Sequence, residues 1–389
     1  MKMRFTVSIG LCLLLMLSAC GTVDNWVLGK DNTPPPAPLE KFTPTLTLHQ
    51  LWSVHAGDGT GQIPLRMDPV KINDLIYVAD HKGSIMAIEA KNGKKRWVQD
   101  LDMTLVSGPA VFGNHLVVCN DEAQVVMMSS KTGKKLWQNN VSNVVFAPPQ
   151  IWNNKVYAKT VDGKIYAFAV DLGTELWVYD HGSSGLALRS GSAPLVERGF
   201  LMAGFSDGKL DGLNAESGQL LWQRVMAVGE GGSEVERLVD IDADPVQSDG
   251  VLYVVTYQGY LVAMSLQTGE ILWRHPLSSY SGIAIRGNTL FITDLLSNVW
   301  AFNKQTGAVL WKQEALARRG LTAPRVSSNA LVVADALGYV HWLSLEDGHF
   351  LGQLRVAKAP IYVPPIVSDS HVYVMGSNGV LTHLVSSPM

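Results

Sequence analysis

Three aspartates at alternate positions, Asp240, Asp242 and Asp244 in LVDIDADPV, form the one cluster of carboxylates in this 389-residue chain. Calcium loops of the EF-hand type begin with the same alternation of acidic residues. Here the sixth position is Pro245 instead of Gly and the twelfth is Val251 instead of Glu, so an EF-hand is excluded. Calcium in another geometry, a solvated edge and an edge that binds a partner remain as alternatives, and we predict no metal ion.

Catalytic chemistry has no recognisable motif in this chain. The ten histidines are scattered without the spacing of metal ligands. No Gly-x-Ser-x-Gly elbow, phosphate-binding loop or dinucleotide fingerprint is present. The formal net charge of −3 argues against nucleic acid as a partner. We therefore predict no catalytic residue, no cofactor and no enzyme activity.

A repeated turn motif must position whatever sites the chain carries. The stretch KTGKKLW places a glycine turn shortly before a tryptophan, and five similar stretches surround it. The six copies end at Trp97, Trp137, Trp177, Trp222, Trp273 and Trp311. Glycine adopts the positive φ that a tight hairpin needs, so each copy predicts a turn between the third and fourth strands of a unit. Each tryptophan is predicted to cover the junction between neighbouring sheets.

Eight such units can be counted from the position that opens the third strand. These positions are Gly83, Ala123, Gly163, Gly208, Gly259, Asn298, Gly338 and Gly379. The last unit lacks a fourth strand, whereas HQLWSV with Trp52 stands alone before the first unit. We therefore predict an all-β, eight-bladed β-propeller of four-stranded antiparallel blades over residues 45–389, with almost no helix. The N-terminal strand near Trp52 would complete the last blade.

The N-terminus has the features of an export signal. Lys2 and Arg4 precede a short apolar run that is too short to span a bilayer, which predicts a signal peptide at residues 1–19. The following LSAC resembles a bacterial lipobox, so Cys20 is the predicted lipidation site, and an ordinary signal with an incidental cysteine is the alternative. Residues 20–44 form a Pro-rich tether. Gly21 in place of Asp favours the outer membrane, with the protein facing the periplasm.

Two connections between units are longer than the others. Trp177 is followed by Pro194 after 17 residues and Trp222 by Pro245 after 23, against 12, 11 and 13 after Trp97, Trp137 and Trp311. Both connections run from an outer strand to the next inner strand, so they emerge on the same face, where binding loops concentrate. The first carries Leu186, Leu188 and Arg189, an interface-like composition. The alternative is that the two leucines fold back onto the blade.

These loops carry a family resemblance that spans essentially the whole chain. LALRSGSAP before the fourth blade and ERLVDIDADPV before the fifth, together with the lipobox and the TGxxLW hairpins, resemble the BamB family, lipoproteins of the β-barrel assembly machinery. The resemblance implies a non-enzymatic scaffold that binds the periplasmic POTRA domains of BamA and assists folding and insertion of outer-membrane proteins. It places the partner contacts at Leu186, Leu188, Arg189, Asp240 and Asp242. Ala187, between the leucines, departs from the polar residue often found there.

The resemblance also implies other lipoproteins of the machinery as partners through the complex, and unfolded outer-membrane proteins are a further candidate partner. The blade motif itself is shared with quinoprotein dehydrogenases that use pyrroloquinoline quinone. Such an enzyme is therefore one alternative, although its adjacent cysteines and calcium-binding carboxylates are not visible in the sequence. A generic periplasmic propeller that binds other ligands is the second alternative.

Overall fold

The computed structural model describes residues 34–61, 63, 65–182, 191–229 and 239–389. The chain divides into two units, Met1–Pro36 and Ala37–Met389, and the second contains all the strands. Within the described residues, 32 strands form eight antiparallel sheets of four strands, and there is no helix. The predicted eight-bladed propeller is confirmed.

The strands follow one another through the blades in chain order, and the N-terminal strand is β1 (Leu46–His55). Blades 1 and 2 contain β2 (Val70–Ile72), β3 (Leu75–Ala79), β4 (Ser84–Glu89), β5 (Lys95–Asp100), β6 (Leu105–Phe112), β7 (His115–Asn120), β8 (Gln124–Ser129) and β9 (Lys135–Asn140). Blades 3 and 4 contain β10 (Gln150–Trp152), β11 (Lys155–Lys159), β12 (Lys164–Ala169), β13 (Glu175–Asp180), β14 (Leu195–Glu197), β15 (Phe200–Gly204), β16 (Lys209–Asn214) and β17 (Leu220–Val225).

Blades 5 and 6 contain β18 (Val246–Ser248), β19 (Val251–Val255), β20 (Tyr260–Ser265), β21 (Ile271–Pro276), β22 (Ile283–Arg286), β23 (Thr289–Thr293), β24 (Val299–Asn303) and β25 (Val309–Gln313). Blades 7 and 8 contain β26 (Arg325–Val326), β27 (Leu331–Ala334), β28 (Tyr339–Leu343), β29 (Phe350–Arg355), β30 (Ile366–Ser368), β31 (His371–Met375) and β32 (Val380–Pro388), and β1 completes blade 8.

Burial changes regularly from the inner to the outer strands. The second and third strands of a blade, such as β3 and β4, are almost continuously buried, because neighbouring blades cover both faces of the sheet. The fourth strand, such as β5, alternates between partly buried and exposed residues. The core of the protein therefore consists of layers between the blades, which explains why the inner strands are runs of Val, Ile, Leu and Met.

The tryptophans join each blade to the next, as predicted. A Cβ atom added at Gly133 would lie 2.7 Å from Cε3 of Trp97, so only glycine lets the indole ring pack this closely on the hairpin. The Nε1 group of Trp97 also donates a hydrogen bond to the Ser130 carbonyl at 3.0 Å. The same ring-on-glycine packing occurs in the pairs Trp52–Gly93, Trp97–Gly133, Trp137–Gly173, Trp177–Gly218, Trp222–Gly269, Trp273–Gly307 and Trp311–Gly348.

The ring closes through the N-terminal strand, which confirms the predicted closure. Strand β1 pairs antiparallel with β32, and Trp52 lies opposite His383. Trp52 then packs on Gly93 of blade 1 and donates from Nε1 to the Ala90 carbonyl at 3.2 Å. Blade 8 is thus built from both ends of the propeller sequence and has four strands like the other blades.

The junction between blades 7 and 8 differs from the others, because Gly352, opposite Trp342, stands where other blades have tryptophan. The fully buried Trp342 packs there with Leu46 and Leu48. Upstream of β1, the chain continues along blade 7, where the rings of Phe42 and Phe350 lie 5.4 Å apart. The packed unit begins at Ala37, eight residues before the predicted start of the propeller at residue 45.

Candidate partner-binding site

The connections between blades emerge together on one face of the propeller, which we call the link face. It consists of residues 56–69, 101–104, 141–149, 181–194, 226–245, 277–282, 314–324 and 356–365, as far as these are described. The two long connections are the 3–4 link (residues 181–194) and the 4–5 link (residues 226–245). The predicted contact residues Leu186, Leu188 and Arg189 belong to the 3–4 link and lie outside the described residues.

Asp240 and Asp242, the other predicted contact residues, lie in the described end of the 4–5 link. Both are buried, with 3% and 4% of their surface exposed. The intervening Ile241 is also buried, because its side chain packs against the backbone of Gly204, where a Cβ would lie 2.4 Å away. The alternating sequence therefore does not form an exposed edge: the structure places both carboxylates in the interior, beneath the link face.

Asp244 connects three separate parts of the link face. Its carboxylate accepts two hydrogen bonds from Arg66, at 2.6 and 2.7 Å, and one from the backbone N–H of Ala193 at 2.7 Å. Arg66 also donates to the Gly191 carbonyl at 3.4 Å. Burial would raise the pKa of Asp244, but the charge and hydrogen bonds of Arg66 hold that pKa below its ordinary value. The pair joins the 4–5 link to the end of the 3–4 link and to the connection from blade 8 to blade 1.

Lys159, at the end of β11, supports the 3–4 link from below. Its Nζ group donates to the Gly204 carbonyl at 2.7 Å and to Oγ of Ser192 at 3.3 Å. Burial lowers the pKa of Lys159, and the nearby Asp240 and Asp242 act in the opposite direction by favouring its charged form. These two aspartates therefore belong to the electrostatic environment of a buried lysine beneath the link.

A second buried cluster holds the other end of the 3–4 link. The ring of His181 contacts two carboxylates, with Nδ1 at 2.5 Å from Asp211 and Nε2 at 3.2 Å from Asp207. Tyr179 donates its hydroxyl to the same Asp211 oxygen at 2.7 Å, and the His181 ring stacks on Phe205. Burial alone would lower the pKa of His181, but the hydrogen bonds to both carboxylates raise it to about 9. His181 is thus a cation near neutral pH, fixed between blades 3 and 4.

Together these contacts hold the described residues on both sides of 183–190. His181 precedes that segment and is held by Asp207 and Asp211, while Gly191 and Ala193 follow it and are held by Arg66 and Asp244. Ordered ends reduce the conformational entropy that a loop loses when it binds. The residues that flank 183–190 are therefore held in place by side-chain contacts on both sides.

Sequence reasoning missed Arg66, Lys159 and His181, and it left Asp244 without a role. One signal was available from aligning the eight repeats. Asp68-Pro69 and Asp244-Pro245 occupy equivalent positions before an inner strand, where other units have small residues or proline. Both aspartates lie within ion-pair distance of Arg66, which supplies the cation that a partly buried carboxylate needs.

Metal binding and membrane spanning find no support in the described part of the chain. No group of three or more His, Cys, Asp or Glu residues there is arranged to hold a metal ion. No helix long and apolar enough to cross a membrane occurs among the same residues. Calcium binding would need the carboxylate of Asp244, but both of its oxygens accept hydrogen bonds from Arg66.

Comparison with known proteins identifies the family. A sequence-family model described as "Outer membrane protein assembly factor BamB" matches residues 46–111, 81–313 and 297–386. The chain is 48% identical over 386 residues to the outer membrane protein assembly factor BamB of Legionella pneumophila (strain Paris), covering 99% of both chains. This chain belongs to the BamB family. Both long links lie inside the matched region.

Solved structures show the same fold in BamB and in enzymes. The crystal structure of BamB from Moraxella catarrhalis superposes with a TM-score of 0.79 at 24% identity, covering 87% of this chain and all of that one. A quinohemoprotein alcohol dehydrogenase from Comamonas testosteroni reaches 0.70 at 11% identity, covering 87% of this chain and 76% of that one. At these identities the likeness shows the propeller alone, so assignment to the BamB family rests on sequence.

Proposed function

We propose that this protein is a non-catalytic scaffold of the outer-membrane protein assembly machinery that binds the periplasmic POTRA domains of BamA. The observation that carries the proposal is similarity over the whole chain to a protein named an outer membrane protein assembly factor. Other lipoproteins of the machinery are proposed partners through the complex. Unfolded outer-membrane proteins remain a candidate partner.

The link face is the proposed docking surface. Leu186 and Leu188 would supply apolar anchors and Arg189 a charge, on a segment whose flanking residues are held by two ionic clusters. A rigid base of this kind favours affinity, because little order has to be created on binding. Asp240 and Asp242 are buried beneath the same face. Their proposed contribution is to hold the 4–5 link and Lys159 in place, and direct contact with BamA would require the link to open.

The proposal does not include a reaction. Relatives of the chain are named as assembly factors, which agrees with the predicted lack of enzyme activity. The likeness to a quinohemoprotein dehydrogenase, at 11% identity, supports a shared fold and nothing about chemistry. The contribution of the protein to assembly would be to position its partners, for which a stiff ring of eight blades is suited.

The proposed location is the periplasmic face of the outer membrane. The names of the relatives place them in outer-membrane protein assembly. We propose that residues 1–19 are removed as a signal peptide, that Cys20 carries the lipid, and that the following Pro-rich segment connects it to the packed unit beginning at Ala37. Several acyl chains on one cysteine would hold the protein firmly in the membrane, whereas one chain would not.

Affinity purification of the full-length protein from detergent-solubilised membranes tests the proposed function. We expect BamA to copurify in near-equal amount, and to be lost after replacement of both Leu188 and Arg189 by alanine. The matched control replaces Leu172 and Arg198, which are 80% and 70% exposed at turns on the opposite face. Absence of BamA from the purified wild-type complex, or equal recovery with all variants, would contradict the proposal.

A further inference from the structure

A cavity of about 850 Å³ lies at the centre of the link face, among the connections that lead into blades 1, 5, 6, 7 and 8. Most of its wall is apolar, with Leu321 and Val363 as examples, and three tyrosines also line it, namely Tyr257, Tyr280 and Tyr362. A volume of this size is typical of pockets for small organic ligands. The docking proposal does not use this cavity.

Most of the charged groups in the wall already have partners. Arg66 is bound through both terminal nitrogens to Asp244, and the Nη2 atom of Arg66 lies 3.7 Å from Oδ2 of Asp68. Asp242 is buried at the edge of the cavity and takes part in interactions of its own. These groups form a fixed polar wall and offer little free charge to a ligand.

Arg325 is the exception. Its Nη1 atom donates only to the carbonyl of the adjacent Pro324, at 3.2 Å, and among the described residues no carboxylate oxygen lies within 4.0 Å of its guanidinium. Burial lowers the pKa of Arg325, and Asp68 and Asp244 offset this only in part. Arg325 is partly buried, lines the cavity and has no carboxylate within ion-pair distance among the described residues, which points to an anion that completes the site.

Alignment of the repeats also indicates that Arg325 serves a ligand in the cavity. Arg325 opens the inner strand β26 directly after a proline. The residues at the equivalent position after proline in other blades are Val70, Ala110, Gln150, Leu195, Val246 and Ile366. All of these are uncharged, so packing of the inner strands does not require an arginine at this place. The charge of Arg325 is therefore better explained by what enters the cavity than by the fold.

We propose that this cavity binds a small organic carboxylate with an apolar body. The carboxylate would pair with the guanidinium of Arg325, and the body would lie against Leu321, Val363 and the tyrosine rings. Arginine suits this role, since its planar fork matches a carboxylate with two parallel hydrogen bonds. The proposal is independent of docking to BamA and remains testable if that docking is disproved.

Calorimetric titration of the full-length protein with 3-phenylpropionate, and with its uncharged amide, tests the proposal. We expect the acid to bind and the amide to bind at least about thirtyfold more weakly, the loss typical of an unpaired charge in an interface. The variant Arg325→Gln should lose the preference for the acid. The matched control, Arg96→Gln, changes an arginine exposed on outer strand β5 and should bind like the wild type.

Thermal melting separates a binding role from a structural one. Arg325→Gln removes an unpaired charge and should melt at the same temperature as the wild type or higher. A lower melting temperature with unchanged acid binding would overturn the proposal, as would equal binding of acid and amide. The carboxylate could come from a free acid or from the end of a peptide. Comparing 3-phenylpropionate with an N-acetyl dipeptide that has a free C-terminus shows which of the two binds more tightly.

Discussion

Arg66 and Asp244 form a two-point ion pair across 178 residues of sequence, with N–O distances of 2.6 and 2.7 Å. Arg66 lies in the connection that closes the ring from blade 8 to blade 1, and Asp244 lies at the end of the 4–5 link. Since Asp244 also accepts the backbone N–H of Ala193, the pair holds both long links at one point. The most extended connections of the molecule are therefore tied to its closure.

Asp244→Asn should loosen this junction. The substitution keeps the shape and removes the charge, so we expect a loss of about 1 to 2 kcal/mol in the free energy of unfolding. The side chain is 40% exposed, which places the effect near the lower end for hydrogen bonds to charged groups. Urea denaturation measures it. Asp249→Asn, whose side chain is 77% exposed in its ion pair with Lys304, is the control and should shift the curve much less.

Gly93→Ala should destabilise the closure of the ring. Gly93 has a φ of +74°, and a Cβ there would lie 2.9 Å from Cε3 of Trp52. Gly113→Ala is a matched control, because Gly113 has a φ of +57° with no atom within 4 Å of the added Cβ. The control should cost about 1 kcal/mol for the backbone alone. Gly93→Ala should cost clearly more in chemical denaturation, and equal losses would contradict the packing described for Trp52.

His181 should make stability depend on pH. Its folded-state pKa of about 9 lies above its ordinary value of 6.5, so the protonated ring stabilises the fold fully below pH 6.5. This stabilisation is lost as the pH rises through about 9. Compared with His181→Gln, the wild type should have an advantage on the order of 2 kcal/mol at pH 6 that shrinks towards pH 10. Unfolding curves across this range measure it, and a constant difference between the two proteins would exclude a charged His181.

Cys20→Ser should release the protein from the membrane without unfolding it. The proposed anchor is lipid on Cys20, and the described residues contain no helix able to span a membrane. We expect the variant in the soluble periplasmic fraction with an unchanged melting temperature. Salt-washed membranes should then contain little of it. Retention after washing would show that the lipid is not the main attachment.

The fold was predictable because its signals are local. A glycine turn followed by a tryptophan recurs in the sequence, and each copy proved to join one blade to the next. The isolated Trp52 predicted closure because a four-stranded unit lacked one strand, and Trp52 indeed lies opposite His383. Even the unit without the tryptophan, which has Gly352 at that position, was visible as a variant of the motif, although the role of Trp342 at that junction was not.

The site was less predictable because its contacts link distant residues. No local pattern connects Arg66 with Asp244, or His181 with Asp211 on the next blade. The alternation of Asp240 and Asp242 was expected at an exposed or partner-binding edge. Instead, Ile241 packs on Gly204, and both aspartates are buried with it. Whether these aspartates contact a partner stays a prediction, as does the role of Leu186, Leu188 and Arg189.

The central claim is that the 3–4 link docks on BamA. Replacing Leu188 and Arg189 together by alanine removes one apolar anchor, worth roughly 1.5 to 3 kcal/mol when buried, and one interfacial charge. Affinity for the BamA periplasmic domains should therefore fall at least about tenfold, since 1.4 kcal/mol corresponds to a factor of ten. The melting temperature should not change, because both residues lie in a connection between blades and outside the repeated strands.

The decisive measurement is the affinity of this double variant for the purified periplasmic domains of BamA, beside the control with Leu172 and Arg198 replaced by alanine. We predict weakened binding for the first variant, wild-type binding for the second, and cooperative melting at the wild-type temperature for both. Wild-type affinity of the first variant would contradict docking through this link. A lowered melting temperature would instead show that Leu188 belongs to the core.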